Sequence, residues 1–166
     1  KIVPILYRPF DKRFTYYTGK SRGFHCMPRT NIMRHLLREN IALLICRQQN
    51  KIGFKHAFIS DTISEACVVS DKTREINYVL PLYVYPTANL FNGGSNYQRE
   101  VNIHEKIFEK LKECYGKKLQ PEQILAYIYA VLYSNIYRKK YAEFLKIDFP
   151  KIPFCAESAV FSKMAK

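Results

Sequence analysis

The sequence predicts an α+β fold, and three observations predict it. The first part of the chain reads as short β-prone runs broken by turns, whereas apolar residues recur at helical spacing in the last third. Between them lies Pro86 to Gln98, containing Asn92-Gly93-Gly94-Ser95, which reads as a flexible connection. The 166 residues are 48% hydrophobic, enough for one domain with its own core. The expected architecture is a mainly antiparallel or mixed sheet in roughly the first 100 residues, followed by a cluster of about three helices.

Each element has a local reason. Ile2 to Tyr7 is β-rich, Pro9-Phe10-Asp11-Lys12 turns, and Arg13 to Tyr17 returns, which predicts a hairpin. After the loop GKSRGF, Pro28 opens a predicted helix from Arg29 to Arg38, the one helix of the first half, near 29–39. Ile32, Met33, Leu36 and Leu37 form its apolar stripe, Arg34 and Arg38 lie one turn apart, and Asn40 stops it. Strands are predicted at Ile41 to Arg47, Lys55 to Ser60, Cys67 to Ser70 and Ile76 to Tyr85, with Pro81 placing the last at an edge or a bulge. Val101 to Tyr115 then carries Ile103, Ile107, Phe108, Leu111 and Cys114 on one helical side, and Gly116 ends it. Pro121 suits a first helical position, followed by the stripe Ile124, Leu125, Ile128, Val131 and Leu132. Ser134-Asn135 interrupts, and a third helix with Tyr137, Tyr141, Phe144 and Leu145 ends before Asp148-Phe149-Pro150. Residues 1–98 are thus the mostly β part, 99–155 the helical part and 156–166 a tail, all within one domain. The chain begins Lys-Ile-Val rather than with Met, which fits a fragment of a larger protein, the expectation here, as well as processing or a lost start residue.

Charge narrows the function. Twenty-seven Lys and Arg against 14 Asp and Glu give a net charge of +13 and a pI near 9.6. Such an excess points to a polyanionic partner, DNA, RNA or an anionic membrane; a soluble protein that merely carries many lysines is the bland alternative. The apolar run Ile41 to Cys46 is strand-sized, so neither a signal peptide nor a membrane partner is expected. The five cysteines are spread out, odd in number and without a C-x-x-C pair, which argues against zinc and disulfide frameworks and for a reducing, cytoplasmic setting.

Enzyme signatures fail one by one. Gly19-Lys20-Ser21 has the ending of a phosphate-binding P-loop, but Phe14 stands where its first glycine belongs. There is no [DE]-x-K tripeptide, no N-P-P-Y-like motif and no G-x-G-x-x-G. His25, His35, His56 and His104 lack metal-ligand spacing, so no metal site and no catalytic residue is expected; a site assembled in space is beyond a sequence's reach.

What the chain offers instead is cations beside aromatics and amides, at turns and strand ends. Arg8, Lys12, Arg13, Lys20, Arg22, Arg34, Arg38 and Lys72 are candidate phosphate contacts, which give affinity without sequence information. Arg47, Gln48 and Gln49 leave an apolar strand at its exposed end, and Arg and Gln pair in bidentate fashion with guanine and adenine edges. Arg74 and Asn77, around the Ser70-Asp71-Lys72-Thr73 turn, are the second base-reading candidates. An ordinary solvated strand end explains Arg47 to Gln49 equally well. Arg138, Lys139 and Lys140 fit a backbone contact or a solvated helix face alike.

Several of these stretches together resemble one family. YRPFDKRFTYYTGKSRGF, the strand ending ICRQQ, FKHAFISDTISEACVVSDKTREINYVLPLYVYP and ILAYIYAVLYSNIYRKKYAEFLKIDFPKIPF are similar, in that order, to the C-terminal target-recognition region of type ISP restriction–modification enzymes. The resemblance runs from about Tyr7 to Phe154. It implies a domain that docks on double-stranded DNA and selects the recognition sequence. It further implies a bacterial parent chain in which a nuclease, a helicase-like ATPase and an N6-adenine methyltransferase lie upstream. S-adenosylmethionine, ATP and Mg2+ would serve those parts, with no cofactor in this one, and the methyltransferase domain would be an intramolecular partner, with the helices of 99–155 bracing the sheet and docking it there. The resemblance carries over the domain's role and no individual base contact. The family usually continues with further helix beyond the KIDFPKIP-like stretch, whereas 155–166 is short. The alternative is a protein-interaction or assembly domain with a basic surface facing an acidic partner.

Overall fold

A computed structural model describes residues 1–49, 53–72, 75–86, 98–155 and 157–166. Its strands are β1 (Ile2–Arg8), β2 (Asp11–Tyr16), β3 (Ala42–Cys46), β4 (Phe58–Ser60), β5 (Ile63–Ser64), β6 (Asn77–Pro81), β7 (Tyr83–Val84) and β8 (Glu100–Val101). Its helices are α1 (Thr30–Met33), α2 (Glu105–Tyr115), α3 (Pro121–Tyr133), α4 (Asn135–Lys140), α5 (Ala142–Leu145) and α6 (Ser158–Met164). The expected α+β class is what these elements form, with most helices after residue 100.

The layering follows from β3, which is buried at every position. Alternate residues of a strand point to opposite faces. Leu43 and Ile45 join the helical core with Leu111, Ile124, Leu132, Leu145 and Phe161. Ala42 packs with Val3, Leu36 and Ile63, and Leu44 and Cys46 pack with Leu6 and Val68. The sheet β4-β3-β6, antiparallel throughout, therefore lies between the helices and a second sheet of order β2-β1-β5. In that second sheet β1 pairs antiparallel with β2, as the hairpin expectation requires, and parallel with β5. A strand covered on both faces needs apolar residues at every position, which explains the run ALLIC.

Elsewhere the elements depart from expectation for identifiable reasons. The predicted helix over 29–38 is only α1 followed by a 3-10 turn, Arg34–Leu37. Asn40 does more than stop it. Buried, it donates to the carbonyls of His35 at 3.0 Å and Tyr83 at 2.8 Å, and accepts from the amides of Ile41 and Tyr83. His35 Nδ1 accepts from the Tyr85 amide at 3.0 Å, so the segment is tied to β7 where a longer helix would have to break away. Residues Cys67 to Ser70, expected as a strand, form none. The Val68 amide donates to Asn77 Oδ1 at 2.9 Å and the Cys67 amide to Glu65 Oε2 at 2.7 Å, side chains taking the place of a ladder. The single strand expected over 76–85 is two, β6 and β7, with Leu82 between them. Pro81 ends β6, an edge strand, where a missing N–H is tolerated.

The helix expected from Val101 begins at Glu105, because Val101 pairs with Tyr83 in β8. Pro121 opens α3 as expected. Ser134 Oγ accepts from the Tyr137 amide at 3.3 Å, capping α4 where the stripe breaks. The last expected helix is divided at Tyr141 into α4 and α5. The tail carries α6, whose Phe161 is 1% exposed and stacks on Tyr115 at 3.9 Å and on Tyr127 at 4.9 Å. None of the described helices is long and apolar enough to cross a membrane.

Candidate nucleic-acid interface

The cations divide into two groups according to whether an acidic side chain already neutralises them. Arg8 meets Glu65 at 2.6 Å, Lys12 meets Asp61 at 2.6 Å, Arg13 meets Asp11 at 2.8 Å and Lys72 meets Asp71 at 3.0 Å. Arg8 and Arg13 also lie over the Tyr7 ring, each 4.2 Å from its centre. The Lys12 ammonium holds the Asp61 carboxyl below its ordinary range, and Lys72 does the same to Asp71. Exposed pairs of this kind add little stability, but they cancel the local charge that would attract a phosphate. Arg38 lies over the Tyr85 ring at 5.1 Å.

Lysines such as Lys106, Lys110, Lys117, Lys139 and Lys140 on the helical half also lack an acidic partner among the described residues, but of the candidate phosphate contacts Lys20 and Arg22 share the loop between β2 and α1, with Arg29 at its end and Arg34 in the 3-10 turn beyond α1. Among the described residues, Lys20, Arg22, Arg29 and Arg34 have no carboxylate within ion-pair distance. Lys20, Arg22 and Arg29 are exposed and Arg34 is half-buried. The loop is held at its base. Tyr17, the residue after β2, donates its hydroxyl to the Pro28 carbonyl at 2.6 Å, and Thr30 Oγ1 donates to the Gly19 carbonyl at 2.6 Å. Thr15 and His25 meet at 3.1 Å. Gly19 has φ +72°, and a Cβ there would lie 3.4 Å from Thr30 Oγ1, so this corner suits glycine. Arg22 and Arg29 are also left-handed, at φ 62° and 47°. Gly19, Ser21, Arg29 and Asn31 help line an open concavity of about 510 Å³. Met27 also lines it, and both Met27 and Phe24 of the same loop are exposed. A cationic loop of fixed shape, with an apolar tip, is a plain receptor for a polyanion.

The base-reading candidates separate as well. Arg47 follows β3, is more than half exposed, and donates through Nε to Asp148 Oδ1 at 2.9 Å. Gln48 is exposed and donates through Nε2 to the Ile147 carbonyl at 2.9 Å. Gln49 is only 5% exposed; its amide donates to the His56 carbonyl at 3.1 Å and accepts from the Lys55 amide at 3.0 Å. Asn77 is 8% exposed, with its oxygen taken by Val68. Both carboxamides therefore work inside the chain, and neither offers an edge to a base in this arrangement. Arg74 lies outside the described residues. Arg138 donates through Nε to the Leu132 carbonyl at 2.6 Å and lies over Tyr133, so it braces the end of α3, while Lys139 and Lys140 stay exposed.

Two residues that sequence reasoning did not single out belong to this description. Arg29 was legible only as a helix start, and its left-handed backbone carries no clear sequence signal. Asp148 lies 101 residues from Arg47, a separation at which no periodicity links two side chains.

A family model described as the type ISP C-terminal specificity domain matches residues 1–166. Solved structures share the fold. A cryo-EM structure of a DrdV–DNA complex matches with a TM-score of 0.72 and 27% identity, over 99% of this chain and 15% of that one. The ATP-dependent type ISP restriction–modification enzyme LlaBIII bound to DNA matches at 0.69 and 23%, over 99% and 10%. A nuclease-deletion mutant of the type ISP enzyme LlaGI with a DNA substrate mimic matches at 0.67 and 23%, over 99% and 13%. The chain thus spans between 10% and 15% of the length of these proteins. No curated protein matches it.

Proposed function

Because the chain belongs to the type ISP C-terminal specificity domains, we propose that it recognises the double-stranded DNA target of a restriction–modification enzyme. The observation that carries this reading is the Gly19–Arg29 loop, where Lys20, Arg22 and Arg29 stand unneutralised while most other candidate cations are paired within the chain. Likeness to proteins solved with DNA supports the same partner. In this reading Lys20, Arg22, Arg29 and Arg34 hold phosphates and set the register, and Arg47 and Gln48 reach base edges. Methyl transfer from S-adenosylmethionine, and ATP hydrolysis and cleavage with Mg2+, belong to other parts of the parent chain.

The test is an anisotropy titration of the full-length protein with duplex DNA at several salt concentrations. Each phosphate contact contributes about 0.9 to the slope of log affinity against log salt. Replacing Lys20, Arg22 and Arg29 together by Ala should flatten that slope by about 2.7. Equal slopes for the two proteins would remove the loop from the interface.

A second contact has its own observation. Ile2 faces Tyr16 and Pro4 faces Phe14 across the β1–β2 hairpin, and Ile2, Phe14 and Tyr16 are 70%, 77% and 54% exposed. This apolar face of an outer hairpin suits protein contact better than phosphate contact. It is the face we assign to the methyltransferase domain of the parent chain. Phe14→Glu in the full-length protein should loosen that docking, read as faster amide exchange in β2; unchanged exchange would count against it.

A further inference from the structure

Arg47 is a puzzle if it is only another cation. It is more than half exposed, yet its Nε is bound to the Asp148 carboxylate at 2.9 Å. A carboxylate at that position repels an approaching phosphate, so the pair makes a poor backbone contact. A guanine edge is different: O6 and N7 are neutral acceptors, matched by two parallel N–H groups of a guanidinium. Asp148 occupies Nε alone. Among the described residues both terminal nitrogens, Nη1 and Nη2, remain without a protein acceptor. The side chain is thus fixed in plane while its fork is left open.

The segment that carries Asp148 is itself clamped to the sheet. Gln48 Nε2 donates to the Ile147 carbonyl at 2.9 Å, and the Phe149 ring meets Tyr78 edge-on at 4.9 Å. Tyr78 faces Ile45 across the β3–β6 ladder, one residue before Cys46 and two before Arg47. Three contacts therefore bind residues 147–149, beyond α5, to the end of β3 and to β6 beside it. A surface ion pair between long side chains loses much of its worth to side-chain entropy. Here the partner is a short Asp on a braced segment, which reduces that loss.

We infer that Asp148 is a positioning residue for base reading, holding Arg47 so that its two terminal amino groups meet O6 and N7 of one guanine in the target. The inference rests on the target-recognition reading above and adds that the helical half takes part in recognition through residues 147–149. It also assigns Gln48 a bracing contact, with its side-chain oxygen still available as an acceptor.

The experiment is a random-duplex selection with the full-length protein, in parallel with Asp148→Ala, Asp148→Asn and Arg47→Ala. The wild type should yield a motif containing an invariant guanine. Arg47→Ala and Asp148→Ala should each weaken the preference for that same guanine, on the order of tenfold, with other positions kept. A variant carrying both Arg47→Ala and Asp148→Ala should be no worse than Arg47→Ala alone, since Asp148 acts only through Arg47. Asp148→Asn keeps an acceptor oxygen and the shape, so it should lose less at the same position; it also serves if Asp148→Ala fails to fold. A wild-type motif returned unchanged by both Asp148 variants overturns the inference, as does a loss spread evenly over all positions, which a merely structural tie would give. A wild-type selection with no motif at all overturns target recognition itself, so the two failures are distinct.

Discussion

Replacing Phe161 by Ala probes the least anticipated element of the fold. The helix α6 has seven residues, far below the length at which a helix persists alone in water, so docking must hold it. Phe161 provides that docking, 1% exposed and stacked on Tyr115 and on Tyr127. Truncating a buried Phe costs roughly 3–5 kcal/mol, from lost transfer energy and the cavity left behind. With a urea dependence of about 2 kcal/mol per molar, the unfolding midpoint should fall by about 1.5–2.5 M. Urea unfolding followed by circular dichroism gives the midpoint, and amide exchange over 158–164 reports α6 itself. Exchange should accelerate there before it does in β3, which is buried at every position and closes two ladders. A midpoint shift below about 0.5 M, or protection of 158–164 kept in the variant, would refute the claim that this ring anchors the tail.

Other outcomes follow from the same contacts. Gln49→Ala should cost about 1–3 kcal/mol of stability, because the Lys55 amide and His56 carbonyl lose their partner, and should leave the selected DNA motif unchanged; a changed motif would restore Gln49 as a base reader. Burial pushes the Cys46 thiol up to about 12, so at pH 8 it should resist a disulfide reagent while exposed Cys26 and Cys114 react; labelled Cys46 in a peptide map of native protein would contradict this. Burial first, and then the hydrogen bond to Glu122, pushes the Tyr83 hydroxyl up to about 12 from an ordinary 10. A folded value raised in this way gives stability that is complete below pH 10 and is lost as pH rises towards 12. Tyr83→Phe should therefore lessen the alkaline fall in stability between those values, and an unchanged pH profile would count against the assignment.

How much of this was legible in the sequence depends on the range over which the cause acts. The stripes of α2 and α3 and the β1–β2 hairpin were visible because their causes are local: periodicity, a proline, a turn. Val68 and Val69 read as a strand because they are apolar and β-branched; they are buried, but the Asn77 side chain takes the Val68 amide and no ladder forms. Lys20 and Arg22 were recognisable as cations, as were Arg8 and Lys12. What separates them is pairing, and the partners of Arg8 and Lys12 lie 57 and 49 residues away. The amide of Gln49 looks the same on paper whether it folds back on Lys55 and His56 or extends to solvent. Only the tertiary placement of Lys55 and His56 beside Gln49 decides it. The family was readable where no single residue role was, because the order of several segments is far more specific than any one of them.

The central claim, that an unneutralised loop and a carboxylate-held arginine meet DNA together, has one most direct measurement. It is a structure of the full-length protein on its selected duplex. The account predicts Lys20, Arg22 and Arg29 against phosphate oxygens, and Arg47, still bound to Asp148, with both terminal nitrogens about 2.7–3.0 Å from guanine O6 and N7. A duplex lying elsewhere, with the Gly19–Arg29 loop and Arg47 facing solvent, would contradict it.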